Sequence, residues 1–244
     1  ALNPLNLQPY TTYSVTIGAA GQYIGSTGSN TDFAGTDSNG NSFNISALGG
    51  GYGGGVSSGG SGGSGGGAGI YQTSYQQPST YPPGSGTSNQ GNQGGIAVVQ
   101  FTNQAWMCSA YGGSYCFPSS AGTGGGGGAG GQGGQGYVGG LGGDGIASTI
   151  TGTSVYRAAG GNGYSYLSTV NYSTVNGSGS DGSGGTSGNN APQNGRIYLR
   201  YPKGYTMTNP GGGLVFQSGW TGGYTSTTEN CTEIVSGSGT IEFI

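Results

Sequence analysis

Between Gly124 and Gly145 the chain places glycine at every third position without a break. The adjacent phase is glycine as well, at 125, 128, 131, 134, 140 and 143, with Tyr137 interrupting it. The third phase starts at Gly126 and then carries Ala129, Gln132, Gln135, Val138, Leu141 and Asp144. A three-residue repeat is the period of the polyproline-II helix and of neither the α-helix nor the strand. Two of the three faces of such a segment are nearly bare backbone, so neighbouring segments can approach closely enough to bond through their amides. The repeat predicts a bundle of extended glycine helices of the polyglycine-II type.

Composition supports order in these runs. Glycine supplies 63 of the 244 residues, against a usual share of about 7%. Each ordered glycine costs roughly 0.5–1 kcal/mol more than alanine in backbone entropy, and with 31% hydrophobic residues side-chain burial cannot offset this along the whole length. Dense main-chain hydrogen bonding, worth about 1 kcal/mol net per bond, can, with Cα–H···O contacts as a supplement. A flexible linker has no need of phase, and the apolar interruptions Tyr137, Val138 and Leu141 do not suit one. Collagen is excluded by the missing prolines.

Charged residues are 5% of the chain and the net charge is −3. Four cations, none clustered, argue against nucleic-acid binding. No apolar run approaches the ~20 residues needed to cross a bilayer as a helix, so no membrane insertion is expected. The opening stretch Ala1–Tyr10 does not read as a signal peptide, and the absence of an initiator Met reads as processing or truncation.

Strand-like sequence recurs at both ends. Tyr13–Ile17 alternates β-branched and polar residues, and Phe43–Leu48 follows a turn at Asn39-Gly40. Ile96–Phe101 reads as a buried strand. Arg196–Tyr201, Leu214–Phe216 and Thr240–Ile244 make the end plainly β. Glycine blocks at 49–55, 59–67 and, more weakly, 179–188 share the three-residue habit, whereas 70–93 reads as a loop. No helix is predicted. The expected fold is mainly β with a glycine-rich polyproline-II (polyglycine-II) helix bundle: residues 1–195 form the glycine-rich domain with Tyr-rich loops, and residues 196–244 a C-terminal β segment packed on it.

The chemistry-bearing residues are sparse. With no histidine there is no Ser-His-Asp or Cys-His pair and no imidazole metal ligand, and the acids are too scattered for a carboxylate pair. An enzyme is not expected, nor a cofactor or metal. Asp32 and Asp37 read as turn caps, with Ca²⁺ binding as the lesser alternative. Cys108 and Cys116 are spaced for a hairpin disulfide or serve as two small buried apolar residues, two equal readings. Cys231 reads as a core residue near the last strands. Asn44, Asn171, Asn176 and Asn230 match the glycosylation triplet, a frequent accident in a chain rich in Ser and Thr.

The functional signal lies in segments 70–93, 103–118 and 162–175. They combine Tyr, Ser, Gly, Asn and Gln with Trp106 and Phe117, the mixture of rigid amphipathic aromatics and adaptable polar partners found in antibody binding loops. The candidate binding residues are Tyr71, Tyr75, Tyr81, Trp106, Tyr111, Tyr115, Tyr164, Tyr166 and Tyr172. The same side chains would otherwise cover glycine backbone.

The blocks Tyr13–Gly18, Ser46–Gly55 and Gly145–Tyr156, with Gly195–Pro202 and Gly237–Phe243 as closing strands, resemble glycine-rich domains in tail-fibre and related surface proteins of bacteriophages and large DNA viruses. More loosely, the chain resembles the tip adhesins of T-even-like phage long tail fibres, in which polyglycine helices form a sandwich and the loops between them bind the host. The resemblance implies a non-enzymatic virion-surface protein presenting its loops to a host cell-surface glycan or outer-membrane protein. It implies further contacts with other fibre or virion subunits, including copies of itself. The rival expectation is a subunit of an extracellular filament or sheath, joined through exposed edges at Tyr13–Ile17 and Thr240–Ile244. Ice binding by a flat polyproline-II face is a weaker third, disfavoured by the interrupting loops.

Overall fold

The computed structural model describes residues 5–21, 25–71, 79–100, 120–136, 139–165, 184, 191–217 and 226–244. Among them there is no helix, and the protein is mostly β. The strands are β1 (Thr12–Thr16), β2 (Thr31–Thr36), β3 (Ser42–Ala47), β4 (Ile70–Tyr71), β5 (Ser79–Thr80), β6 (Val98–Gln100), β7 (Ser120–Gly122), β8 (Ile146–Ser148), β9 (Val155–Arg157), β10 (Ile197–Pro202), β11 (Met207–Thr208), β12 (Leu214–Phe216) and β13 (Glu229–Phe243).

A curled, seven-stranded antiparallel sheet runs in the order β10-β13-β1-β2-β3, with β11 and β12 also pairing β13. Strand β13 organises it. Its first part pairs β10 from Glu229 to Ile234, and its last part pairs β1 from Ser238 to Glu242. Between these stretches Gly237 adopts φ +100°, a conformation that L side chains rarely adopt, and β12 shifts register nearby between Val215 and Phe216. A bulge of this kind bends a strand and increases its twist, which accounts for the curl.

The period-two pattern of β1 buries Tyr13 and Val15 and exposes Thr12, Ser14 and Thr16, as expected for a sheet with one wet face. Tyr13, Val15, Ile17, Phe33, Leu214, Ile234, Ile241 and Phe243 form the main core. Tyr13 stacks with Phe43 at 6.0 Å between ring centroids and meets Phe33 at the same distance, tilted. Strand β2, which the sequence reading passed over, carries Gly35 for a steric reason: a Cβ there would sit 2.5 Å from Tyr13 Cδ1. The turn from β2 to β3 uses Asn39-Gly40 as expected, with Gly40 at φ +82°. Asp37 Oδ1 caps it, accepting from the amides of Asn39 (2.9 Å) and Asn41 (2.8 Å). Asp32 instead lies within β2.

Three expectations need correction. The edges assigned to Tyr13–Ile17 and Thr240–Ile244 are not edges: β1 lies between β13 and β2, and the two segments pair with each other, Tyr13 facing Ile241. The strands with a single neighbour are instead β3, β10, β11 and β12. Of the buried strand expected at Ile96–Phe101, Val98–Gln100 pair with β7, Ala97 is buried but Ile96 is exposed, and Phe101 lies outside the described residues. Residues 70–93 are not one loop, since 70–71 pair with 79–80 and 84–95 lie in the glycine network described next.

The glycine runs are cross-linked backbone. Successive amides of 124–129 donate in rotation to three different segments. Gly124 and Gly127 reach Ala68 and Gly65; Gly125 and Gly128 reach Gly134 and Gly131; Gly126 and Ala129 reach Gly161 and Ala158. Carbonyls of the same stretch accept from two more segments, Gly125 and Gly128 from Gly95 and Asn92, Thr123 and Gly126 from Gly140 and Gly143. The partner therefore changes with a period of three. Side chains cannot be tolerated where the backbones meet: a Cβ at Gly124 would overlap the Gly95 carbonyl oxygen, and one at Gly125 that of Leu141.

Candidate functional site

The direction of each hydrogen-bonded segment fixes where the Tyr-rich stretches attach. Residues 92–95 run parallel to 65–68, because Gly65 donates to Asn92 and Ala68 to Gly95. Residues 124–127 run antiparallel to both, and 158–161 antiparallel to 126–129. The exits after Tyr71, Gln100 and Ser165, and the re-entries at Ser79 and Ser120, therefore all lie at one end of the network. Isolated bridges Ala97–Gly136 and Gly122–Ser165 tie the same level together. The hairpin pairs β4–β5 and β6–β7 stand there, and Ala68, Ile70, Ala97 and Ala121 form a small buried cluster under Val99. Small side chains suit a plug between backbones only one hydrogen bond apart.

Three candidate residues are seen at this end. Tyr71 is 46% exposed in β4 and Tyr164 is 52% exposed, while Tyr81 is half-buried beside β5, its amide donating to the Gly69 carbonyl. Thr123, which the sequence reading did not single out, positions Tyr164: its Oγ1 accepts from the Tyr164 amide at 2.6 Å, and its own amide donates to the Tyr164 carbonyl at 2.9 Å. The clue was available, since Thr123 is the last residue with a functional side chain before an unbroken glycine run. Tyr75, Trp106, Tyr111, Tyr115, Tyr166 and Tyr172 lie outside the described residues, as do Cys108 and Cys116.

The charged residues among those described are segregated to the opposite end. Residues 49–54 run parallel to 64–67, so Gly49, which follows the sheet, marks the end away from the Tyr-bearing exits. There the turn of hairpin β8–β9 docks on β10 and β13. The Arg157 guanidinium lies 4.6 Å above the Tyr198 ring and donates to Thr151 Oγ1, a fully buried residue. Glu233 is buried and its Oε1 accepts from Arg196 and from the Tyr198 hydroxyl; Oε2 has no hydrogen-bond partner among the described residues. Arg200, exposed, pairs with the half-buried Glu229. Cys231, half-buried in β13, points its thiol at the Ile150 carbonyl (3.8 Å), and burial pushes the thiol pKa up, with Arg200 opposing.

The described residues hold no group of three His, Cys, Asp or Glu side chains placed to bind a metal, and no helix among them is long and apolar enough to cross a membrane. Comparison with protein-family models, curated proteins and solved structures finds no match to this chain.

Proposed function

We propose that this chain is a non-enzymatic tail-fibre or tail-tip adhesin of a bacterial virus, held on the virion surface and presenting Tyr-rich loops to a host-cell receptor. In this reading the glycine runs are polyglycine-II helices bundled side by side, and the sheet end joins other fibre subunits. The observation that carries it is the common exit of three Tyr-rich stretches at one end of an amide-bonded scaffold. The three-residue rotation of hydrogen-bond partners along 124–129 supports the polyglycine-II assignment. Binding residues concentrate on loops carried by a rigid frame, and a frame that fixes loop ends lowers the entropy lost on binding.

The test is adsorption of the labelled full chain to a panel of bacterial cells. Replacing Tyr71, Tyr81 and Tyr164 together by Ala removes adsorption while the thermal unfolding midpoint stays within a few degrees. Adsorption that survives the triple replacement on every cell type overturns the reading.

A further inference from the structure

Ten of the chain's eleven charged residues lie away from the Tyr-bearing end. Eight belong to the sheet and its turns, from Asp32 to Glu242, and Asp144 and Arg157 lie beside hairpin β8–β9. Asp144 is placed by its carbonyl, which accepts from Gly131 at the far end of the segment that reaches the exits at Gly136. The eleventh, Asp181, lies outside the described residues. The segregation is pronounced for a protein whose few ions could have gone anywhere on its surface.

At the same end the exposed groups include the Tyr71 and Tyr164 rings, the Ser79 and Thr80 hydroxyls and the Ile96 side chain. Tyr71 and Tyr164 belong to segments separated by one intervening segment, since 124–127 bonds to 65–68 on one side and 126–129 to 158–161 on another. With hydrogen-bonded backbones about 4.8 Å apart, the two attachment points are roughly 8–10 Å apart. Ser79 and Thr80 are exposed beside Tyr71. Arg and Lys are the usual side-chain partners of anions, and carboxylates those of cations. This end supplies neither kind of ion among the described residues.

We infer that the Tyr-bearing end recognises an uncharged glycan, stacking apolar sugar faces on Tyr71 and Tyr164 while the Ser79 and Thr80 hydroxyls meet the sugar hydroxyls. The inference rests on the adhesin reading above and narrows it to one ligand chemistry. It sets aside phosphorylated or uronic-acid-rich polysaccharide, for which this end offers no Arg or Lys among the described residues. It also excludes the charged rim of a membrane protein, which needs a complementary potential.

Two measurements on the full chain separate this inference from the reading beneath it. First, adsorption to cells is compared after periodate, which cleaves vicinal diols of sugars, and after proteinase. The inference expects loss with periodate and retention after proteinase; retention after periodate with loss after proteinase overturns it while leaving an adhesin standing, and no adsorption to any cell overturns both. Second, binding to soluble neutral hexasaccharides (gluco-, galacto- and manno-) is measured as salt rises from about 0.01 to 1 M, over which the Debye length falls from about 30 to 3 Å. At least one binds with affinity unchanged by salt, Tyr71→Ala or Tyr164→Ala weakens it about tenfold, and the Phe variants keep most of it. Binding confined to polygalacturonate, or binding that falls steeply with salt, overturns the inference.

Discussion

Tyr13 faces Ile241 across the ladder that joins β1 to β13, and both side chains are fully buried. Nearly the whole glycine network lies between them in sequence, so this contact closes the chain on itself. Ile241→Ala removes its apolar volume from beneath β1 and is expected to destabilise by about 2–5 kcal/mol. Urea unfolding followed by tyrosine fluorescence measures it. A loss well below that range would mean that the β1–β13 pairing adds little beyond the glycine scaffold.

The glycine network makes a prediction by contrast. Gly125→Ala drives a Cβ into the Leu141 carbonyl, whose backbone cannot rotate aside, whereas Gly53→Ala meets nothing within 4 Å. The first is expected to cost about 1–3 kcal/mol or more. The second is expected to be neutral or to stabilise by up to about 1 kcal/mol through the unfolded chain. Thermal unfolding of the two variants, and slow amide exchange across 124–145 that Gly125→Ala alone accelerates, are the readouts. Equal midpoints would remove the case for tight backbone contact.

That contrast also marks how far the sequence could be read. The three-residue phase at 124–145 announces close backbone contact by itself, because only side-chain-free faces permit it. Tyr13–Ile17, Arg196–Tyr201 and Leu214–Phe216 were equally visible, whereas of the long strand β13 only the end, from Thr240, was legible as strand, and β11 was not. Neither was strand β2: Thr-Asp-Phe-Ala-Gly-Thr has no marked alternation, and its glycine is explained only by the Tyr13 ring lying against it. Pairing partners were hidden for a similar reason. Nothing local tells Tyr13–Ile17 that its neighbour is the chain's last strand, so two interior strands read as free edges. The common exit of the Tyr-rich stretches follows from the relative direction of segments far apart in sequence, which periodicity does not encode.

Asp37 gives a pH-dependent turn. Its carboxylate accepts from the Asn41 amide, the largest cause, and from Asn39, and these bonds hold its pKa below the ordinary aspartate value. A depressed folded-state pKa contributes stability that is present above the unfolded value and is lost as pH falls through the folded value. The β2–β3 turn should therefore loosen only below about pH 4. The Asn39 and Asn41 amide resonances of the wild type report it, moving with a midpoint under the ordinary value. Asp37→Ala abolishes that titration, and its persistence in the variant would assign it to another group.

The Arg196–Glu233 pair offers the sharpest energetic test. Glu233 is almost wholly buried, and its Oε1 is held by Arg196 and the Tyr198 hydroxyl. Arg196→Met strands a carboxylate in a site where Oε2 already lacks a partner among the described residues. Breaking a buried pair from one side costs about 3–5 kcal/mol; because the Arg196 side chain is one-quarter exposed, the loss should fall toward the lower end. Replacing the set together, by Arg196→Met, Tyr198→Phe and Glu233→Leu, removes the ion pair and the hydroxyl bonded to it, while Gln217 Oε1, which also accepts from Arg196, is left at an exposed position. It keeps an aromatic ring beneath Arg157. That triple variant should recover most of the stability lost by the single one, since well-packed apolar groups often replace a buried pair at little cost. Chemical denaturation of the single and triple variants decides the matter. A triple variant as unstable as Arg196→Met would show that the site is held by its specific polar geometry, and that the docking of hairpin β8–β9 on β10 depends on it.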